Sequence, residues 1–144
     1  DNSYGRSRVV ALGPDLKERW RITGVSNPTD VKAAPDGTIW VAESTQGRIT
    51  GRTPTGQQVT ARAVNQPLNL ELTPGGGMVV FGRNQVQEFD KDGKLGLTYT
   101  RPNNTNDIAG GARLKGGGSV FVTTVFQQPG AAKANCFRLD AKFK

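Results

Sequence analysis

The sequence predicts an all-β chain of β-propeller repeats, with four antiparallel strands to a blade and about three blades, and therefore an incomplete ring. Three observations carry that expectation. First, an order of turn, apolar run, polar loop, alternating strand and turn occurs three times. It runs from Ala34 to Gln57 ("APDGTIWVAESTQGRITGRTPTGQ"), from Thr73 to Lys94 ("TPGGGMVVFGRNQVQEFDKDGK") and from Leu114 to Lys144. Second, the leading turns align at Gly37, Gly76 and Gly117, 39 and 41 residues apart, and a period near 40 residues marks a propeller array. Third, a lone hairpin cannot bury its apolar face, so units of this kind are expected to stack.

Taken in order, residues 8–24 ("RVVALGPDLKERWRIT" and Gly24) give the last two strands of a blade, joined by Gly-Pro-Asp. Residues 25–63 form a full blade that opens on "VSNPTDVKAA", where Asn-Pro turn chemistry passes into a short strand. Residues 64–102 repeat that plan from "VNQPLNLELT". Residues 103–144 repeat it from "NNTNDIAGGARL" and stop at "CFRLDAKFK", before an outermost strand. The strand count is two, four, four and three. Stacked sheets bury alternate residues on both faces, so Val31, Ile39, Val41, Val79, Phe81, Val120 and Val122 are expected in the core, and Trp20 and Trp40 between blades. Closed rings need about four to eight blades. The chain is therefore expected to be part of a larger protein or to associate with further copies that complete the propeller.

Some of these residues resemble known repeats. "NPTDVKAAPDGTIWVAESTQGRITGRTPTGQ" (27–57) resembles the NHL repeat, with its Pro-led strand, Asp-Gly turn, apolar strand and Arg-Ile pair. "QPLNLELTPGGGMVVFGRNQVQEFDKDGK" (66–94), and "DIAGGARLKGGGSVFV" with "CFRLDAKFK" (107–122 and 136–144), are similar to the PQQ-like, quinoprotein-type propellers of planctomycete bacteria. The third unit departs from the pattern by an insertion at Gln127 to Asn135. The resemblance covers most of the chain, implies the propeller fold and, through the NHL repeat, permits RNA binding. It carries no catalytic signature.

Composition narrows the function classes. The 144 residues carry a net charge of +7, one cysteine and no histidine. The longest apolar runs are strand-sized, such as "MVVF" (Met78 to Phe81), far short of the roughly 18 residues of a membrane helix. Basic residues are spread along the chain, so nucleic-acid binding is expected to be weak and non-specific. Sparse aromatics disfavour a base-stacking platform. Cys136 excludes an internal disulfide and, at the start of "CFRL", reads as a buried thiol.

Without histidine the chain has no Ser-His or Cys-His couple and no His-based zinc site. Asp30 and Asp107 fall at matching loop positions, and Asp90 and Asp92 flank a turn; turn and cap chemistry accounts for all four. "PGGGM" and "KGGGS" lack the spacing of a phosphate cradle and align with Asp36-Gly37, so they read as hairpin turns. No metal or cofactor is expected, and the chain is read as non-enzymatic.

What remains is a clustering of amides by loop. In a four-stranded blade, the loop into the first strand and the loop between the second and third strands open at the same end. The candidate binding residues drawn from those loops are Asn27, Asp30, Gln46, Arg48, Asn65, Gln66, Arg83, Asn84, Gln85, Asn104, Asp107 and Gln127. Side-chain amides donate and accept, which suits recognition of a macromolecular partner on a rigid scaffold. The expected function is a binding or scaffold module with a protein partner. The alternatives are an RNA-binding NHL-type propeller and a quinoprotein-like enzyme fragment.

Overall fold

The computed structural model describes residues 7–101, 107–125 and 133–143, and every regular element among them is a β-strand. Two compact units divide the chain, residues 1–67 and 68–144. The first contains a two-stranded sheet, β1 (Val9–Leu12) and β2 (Glu18–Ile22), and a four-stranded sheet in the order β3 (Pro28–Ala33), β4 (Ile39–Glu43), β5 (Arg48–Arg52), β6 (Gln58–Ala63). The second contains a four-stranded sheet, β7 (Pro67–Leu72), β8 (Met78–Gly82), β9 (Gln85–Phe89) and β10 (Leu95–Thr100), whose first residue closes the first unit. It also contains a three-stranded sheet, β11 (Asp107–Arg113), β12 (Ser119–Val125) and β13 (Lys133–Leu139). The pairs are antiparallel and sequential neighbours, as hairpin connections require.

One turn plan makes these hairpins. Six five-residue turns, starting at Gly13, Ala34, Thr53, Thr73, Asp90 and Leu114, share two backbone bonds: the fourth N–H reaches the first carbonyl, and the first N–H reaches the fifth carbonyl. The fourth residue has positive φ, which is why glycine fills it at Gly37, Gly56, Gly76, Gly93 and Gly117. Leu16 takes the same conformation in the first turn (φ 60°), and Phe143 takes it at φ 57° after Asp140. The triple glycines are therefore turns, as the sequence indicated.

The core follows from strand position. β4 and β8 are buried at all five residues because each lies inside its sheet with both faces covered. In the first unit Val9, Ile22, Val25, Ile39 and Val41 form one cluster with Trp20 against it. Trp40 is buried on the opposite face of β4, with the Arg62 guanidinium 4.5 Å from its ring centre. In the second unit Val79, Phe81, Val86, Ile108, Phe121, Leu139 and Phe143 cluster, and the Phe121 ring lies 5.6 Å from Tyr99 and 5.4 Å from Phe137.

Three expected core positions and the cysteine need correction. Ile39, Val41, Val79 and Phe81 are buried, but Val31 is 43% exposed, Val122 is 41% exposed and Val120 is only half-buried. Cys136 is exposed as well. Val122 pairs with Cys136 and Val120 with Arg138, on the face of their sheet opposite Phe121 and Leu139. The alternation is right; no neighbouring sheet among the described residues covers that second face. Val31 is the register partner of buried Val41, yet it sits on the edge strand β3.

Candidate functional site

At the loop end of the first unit, Glu43 organises the structure. It closes β4 opposite Arg48, which opens β5, so Arg48, Thr50 and Arg52 stand at a period of two on the face that carries Glu43. Glu43 Oε1 accepts from the Thr50 hydroxyl (2.7 Å) and Arg52 Nη2 (3.0 Å). Oε2 accepts from the Ser26 N–H (2.9 Å) and lies 3.5 Å from Arg48 Nη2. Arg52 Nε donates to the Thr50 oxygen (3.1 Å), and its Nη1 reaches the Gly56 carbonyl (3.3 Å) in the far turn. Glu43 and Thr50 are fully buried, and Arg52 nearly so.

Burial pushes the Glu43 carboxyl up, but the bonds from Thr50, the Ser26 N–H and Arg52, together with the Arg48 charge, outweigh it and hold the carboxyl below the ordinary glutamate range. An ionised carboxylate with four donors on its two oxygens has no lone pair free for proton abstraction. Its role is to fix loops. The Ser26 bond ties the chain leading into β3 to the end of β4. The Ser44 N–H to Asn27 carbonyl bond (3.2 Å) ties the same two loops, and the Val64 N–H to Gly47 carbonyl bond (2.9 Å) adds the chain leading into β7.

That framework brings five candidate residues to one end of the first unit: Asn27, Gln46, Arg48, Asn65 and Gln66. All are exposed except the half-buried Arg48. Asn27 and Gln66 both have positive φ, 45° and 42°, immediately before Pro28 and Pro67, so the turn into the first strand repeats in detail. Asp30 lies along β3, where it accepts the Val31 N–H (2.8 Å) and stands 3.7 Å from Lys32.

In the second unit Arg83, Asn84, Gln85 and Asp107 come together. The Ile108 N–H meets the Arg83 carbonyl (2.8 Å), the Arg101 N–H meets the Asn84 carbonyl (3.0 Å), and Arg83 Nε pairs with Asp107 (2.8 Å). The Asp107 hydrogen bond and then its charge raise the Arg83 pKa. Gln85 Nε2 lies 3.4 Å from the Thr100 hydroxyl. Asn104 and Gln127 fall outside the described residues.

Asp90 has the cap role expected of it, accepting the N–H groups of Asp92 (3.0 Å) and Lys94 (2.8 Å); Asp92 pairs with Lys91 in solvent. Among the described residues no group of three His, Cys, Asp or Glu side chains could hold a metal ion, and no helix is long and apolar enough to cross a membrane. The buried carboxylate network escaped the site reading. Its signal was the period-two "RITGR" opposite Glu43, two arginines and a threonine on a face that should have been apolar.

No protein-family model matches the chain, and no curated protein matches it. Solved structures do. A protein of unknown function from Bacteroides caccae aligns with a TM-score of 0.73 at 11% identity, over 96% of this chain and 57% of its own. A streptogramin B lyase aligns at 0.56 and 14% identity, over 94% of this chain and 44% of its own. BBS1N, in a complex with ARL6DN, aligns at 0.61 and 16% identity, over 92% of this chain and 47% of its own. The chain thus spans about half the length of the structures it matches. These likenesses show the fold, a β-propeller of four-stranded antiparallel sheets.

Proposed function

We propose that the chain is a non-enzymatic binding module, a propeller of the NHL or quinoprotein-like kind that presents its polar loop ends to a protein partner. One observation carries the reading: the loops around Asn27, Gln46 and Asn65 are bonded backbone to backbone and anchored on buried Glu43, so exposed amides stand on a preorganised support. Preorganisation lowers the ordering cost of association. The BBS1N complex with ARL6DN supplies a propeller-type neighbour with a protein partner. A Staphylococcus aureus virginiamycin B lyase, another neighbour, is described as catalytically inactive once a histidine is replaced by alanine, and this chain contains no histidine.

The test is selection of peptides from a displayed library on the folded chain, followed by affinity measurements on Gln46→Ala and Asn65→Ala. The expected result is a loss of about tenfold or more in at least one variant with an unchanged thermal midpoint, because each removes an exposed contact worth about 1–2 kcal/mol. Selected peptides that bind both variants as well as the parent chain overturn the site. Nanomolar, sequence-selective binding of single-stranded RNA at physiological salt replaces the protein partner with RNA.

A further inference from the structure

Around Glu43 the charges do not balance: two guanidinium groups, of Arg48 and Arg52, share one carboxylate. Arg52 takes the closer place. Its Nη2 lies 3.0 Å from Oε1, its Nε donates to the Thr50 hydroxyl and its Nη1 to the Gly56 carbonyl, so each nitrogen has a partner. Among the described residues Arg48 has one contact, from Nη2 to Oε2 at 3.5 Å. Its Nε is buried with no hydrogen-bond partner, and its side chain is 31% exposed, against 8% for Arg52.

Register explains the difference. Arg48 opens β5 opposite Glu43 and pairs with Ala63 of β6, so it stands at the loop end of the sheet, whereas Arg52 stands at the turn end. The guanidinium is a planar fork of five donors, and leaving such donors unpaired in a partly buried place is unfavourable. In the second unit the count is even: Arg83 pairs with Asp107 at 2.8 Å and Arg113 with Glu88 at 2.7 Å, one cation to one carboxylate. Arg48 is thus a surplus cation held in a bonded frame.

We propose that Arg48 is the carboxylate-recognition point of this loop end, and that the partner is an acidic peptide whose Asp or Glu side chain accepts from its guanidinium. The assignment rests on the binding reading of the loop end and adds the chemistry of the ligand. A carboxylate presents two oxygens in the plane of the fork and brings the negative charge that the Glu43 cluster lacks. Gln46 precedes Arg48 by two residues, and Asn27 and Asn65 lie on the loops tied by the Ser44 N–H to Asn27 carbonyl and Val64 N–H to Gly47 carbonyl bonds. Their amides suit the peptide groups on either side of an acidic residue. A nucleic-acid backbone brings charges in series and calls for a row of cations, whereas the candidate residues around Arg48 are neutral amides.

The probe is a peptide selected from a displayed random library on the full chain, synthesised with its acidic residue intact and with that residue replaced by the corresponding amide. The expected result is a shared Asp or Glu position among the selected peptides and at least tenfold weaker binding of the amide form to the parent chain. The two forms are expected to bind Arg48→Gln equally, since the double-mutant cycle isolates the pair. Arg48→Lys, which keeps a charge beside Glu43 and loses the fork, is expected to retain part of the difference. Selected peptides that depend on Gln46 or Asn65 but share no acidic position overturn the carboxylate assignment and leave the binding surface standing; failure to select any peptide overturns both. An amide penalty that persists in full on Arg48→Gln overturns Arg48 as the partner of the acid. Displacement of the peptide by inorganic phosphate but not by acetate at equal ionic strength assigns the point to phosphate groups and overturns the carboxylate.

Discussion

Leu16 occupies a backbone conformation that the sister turns reserve for glycine. A side chain in the left-handed region costs about 1 kcal/mol, and Leu16 recovers none of it by packing, since it is 78% exposed. Leu16→Gly is expected to stabilise the chain by about 0.5–1 kcal/mol and raise the thermal midpoint by about 2–4 °C, read by circular dichroism. Phe143 shares the conformation, but its ring belongs to the core of its unit, so the same change there is expected to destabilise. Glu43 gives a prediction of opposite sign. Its folded pKa is depressed below the ordinary 4.5, so the stability it contributes is present above about pH 4.5 and is lost as pH falls through the folded value. Glu43→Gln is expected to cost about 3–5 kcal/mol at neutral pH by stranding Arg52 and to flatten this acid dependence in urea melts. In the sequence, the Gly turns were legible because only glycine takes positive φ freely. Leu16 and Glu43 were not, because their constraints come from partners distant in sequence.

At the scale of the strand, Gly111 of β11 lies against the ring of Phe81, and a methyl group there would run into that ring. Gly111→Ala is expected to destabilise by about 1–3 kcal/mol through overpacking, measured by chemical denaturation; Ala112→Gly, at an exposed neighbour, is the control. Two ion pairs hold β11 at its ends: Asp107 with Arg83, and Arg113 Nη1 with Glu88 at 2.7 Å. The apolar runs of β4 and β8 made the four-stranded sheets legible, since only central strands can be apolar at consecutive positions. The same alternation failed for Val31 and Val122 because a pattern tells which face a residue occupies, whereas burial also requires something to lie on that face.

For the whole molecule, net charge is the property that the sequence states most directly. The +7 charge attracts polyanions, and its dispersal predicts few simultaneous phosphate contacts. Binding to single-stranded RNA is expected to fall with a log–log salt slope near 0.7 per phosphate contacted, to be micromolar or weaker at physiological salt and to show no preference among sequences. Fluorescence anisotropy across a salt series reads all three. A steep slope with strong selectivity would require a concentrated basic track. The fold class was legible here from a recurring order of turn and strand at 39- and 41-residue spacings, because a repeat constrains every copy at once. The loop ends were legible only as composition, because amides in loops look alike whether they satisfy backbone or await a partner.

The chain of contacts from Ser26 through Glu43 and Arg52 to the Gly56 carbonyl joins the loop end of a sheet to its turn end. A ligand that shifts Arg48 or the 44–47 turn is expected to alter the bonds on Glu43, and Arg52 joins Glu43 to a peptide group at the turn end. The amide resonance of Gln57, whose nitrogen shares that peptide group, is therefore expected to shift on occupancy of the loop end, read by NMR without a label near the ligand.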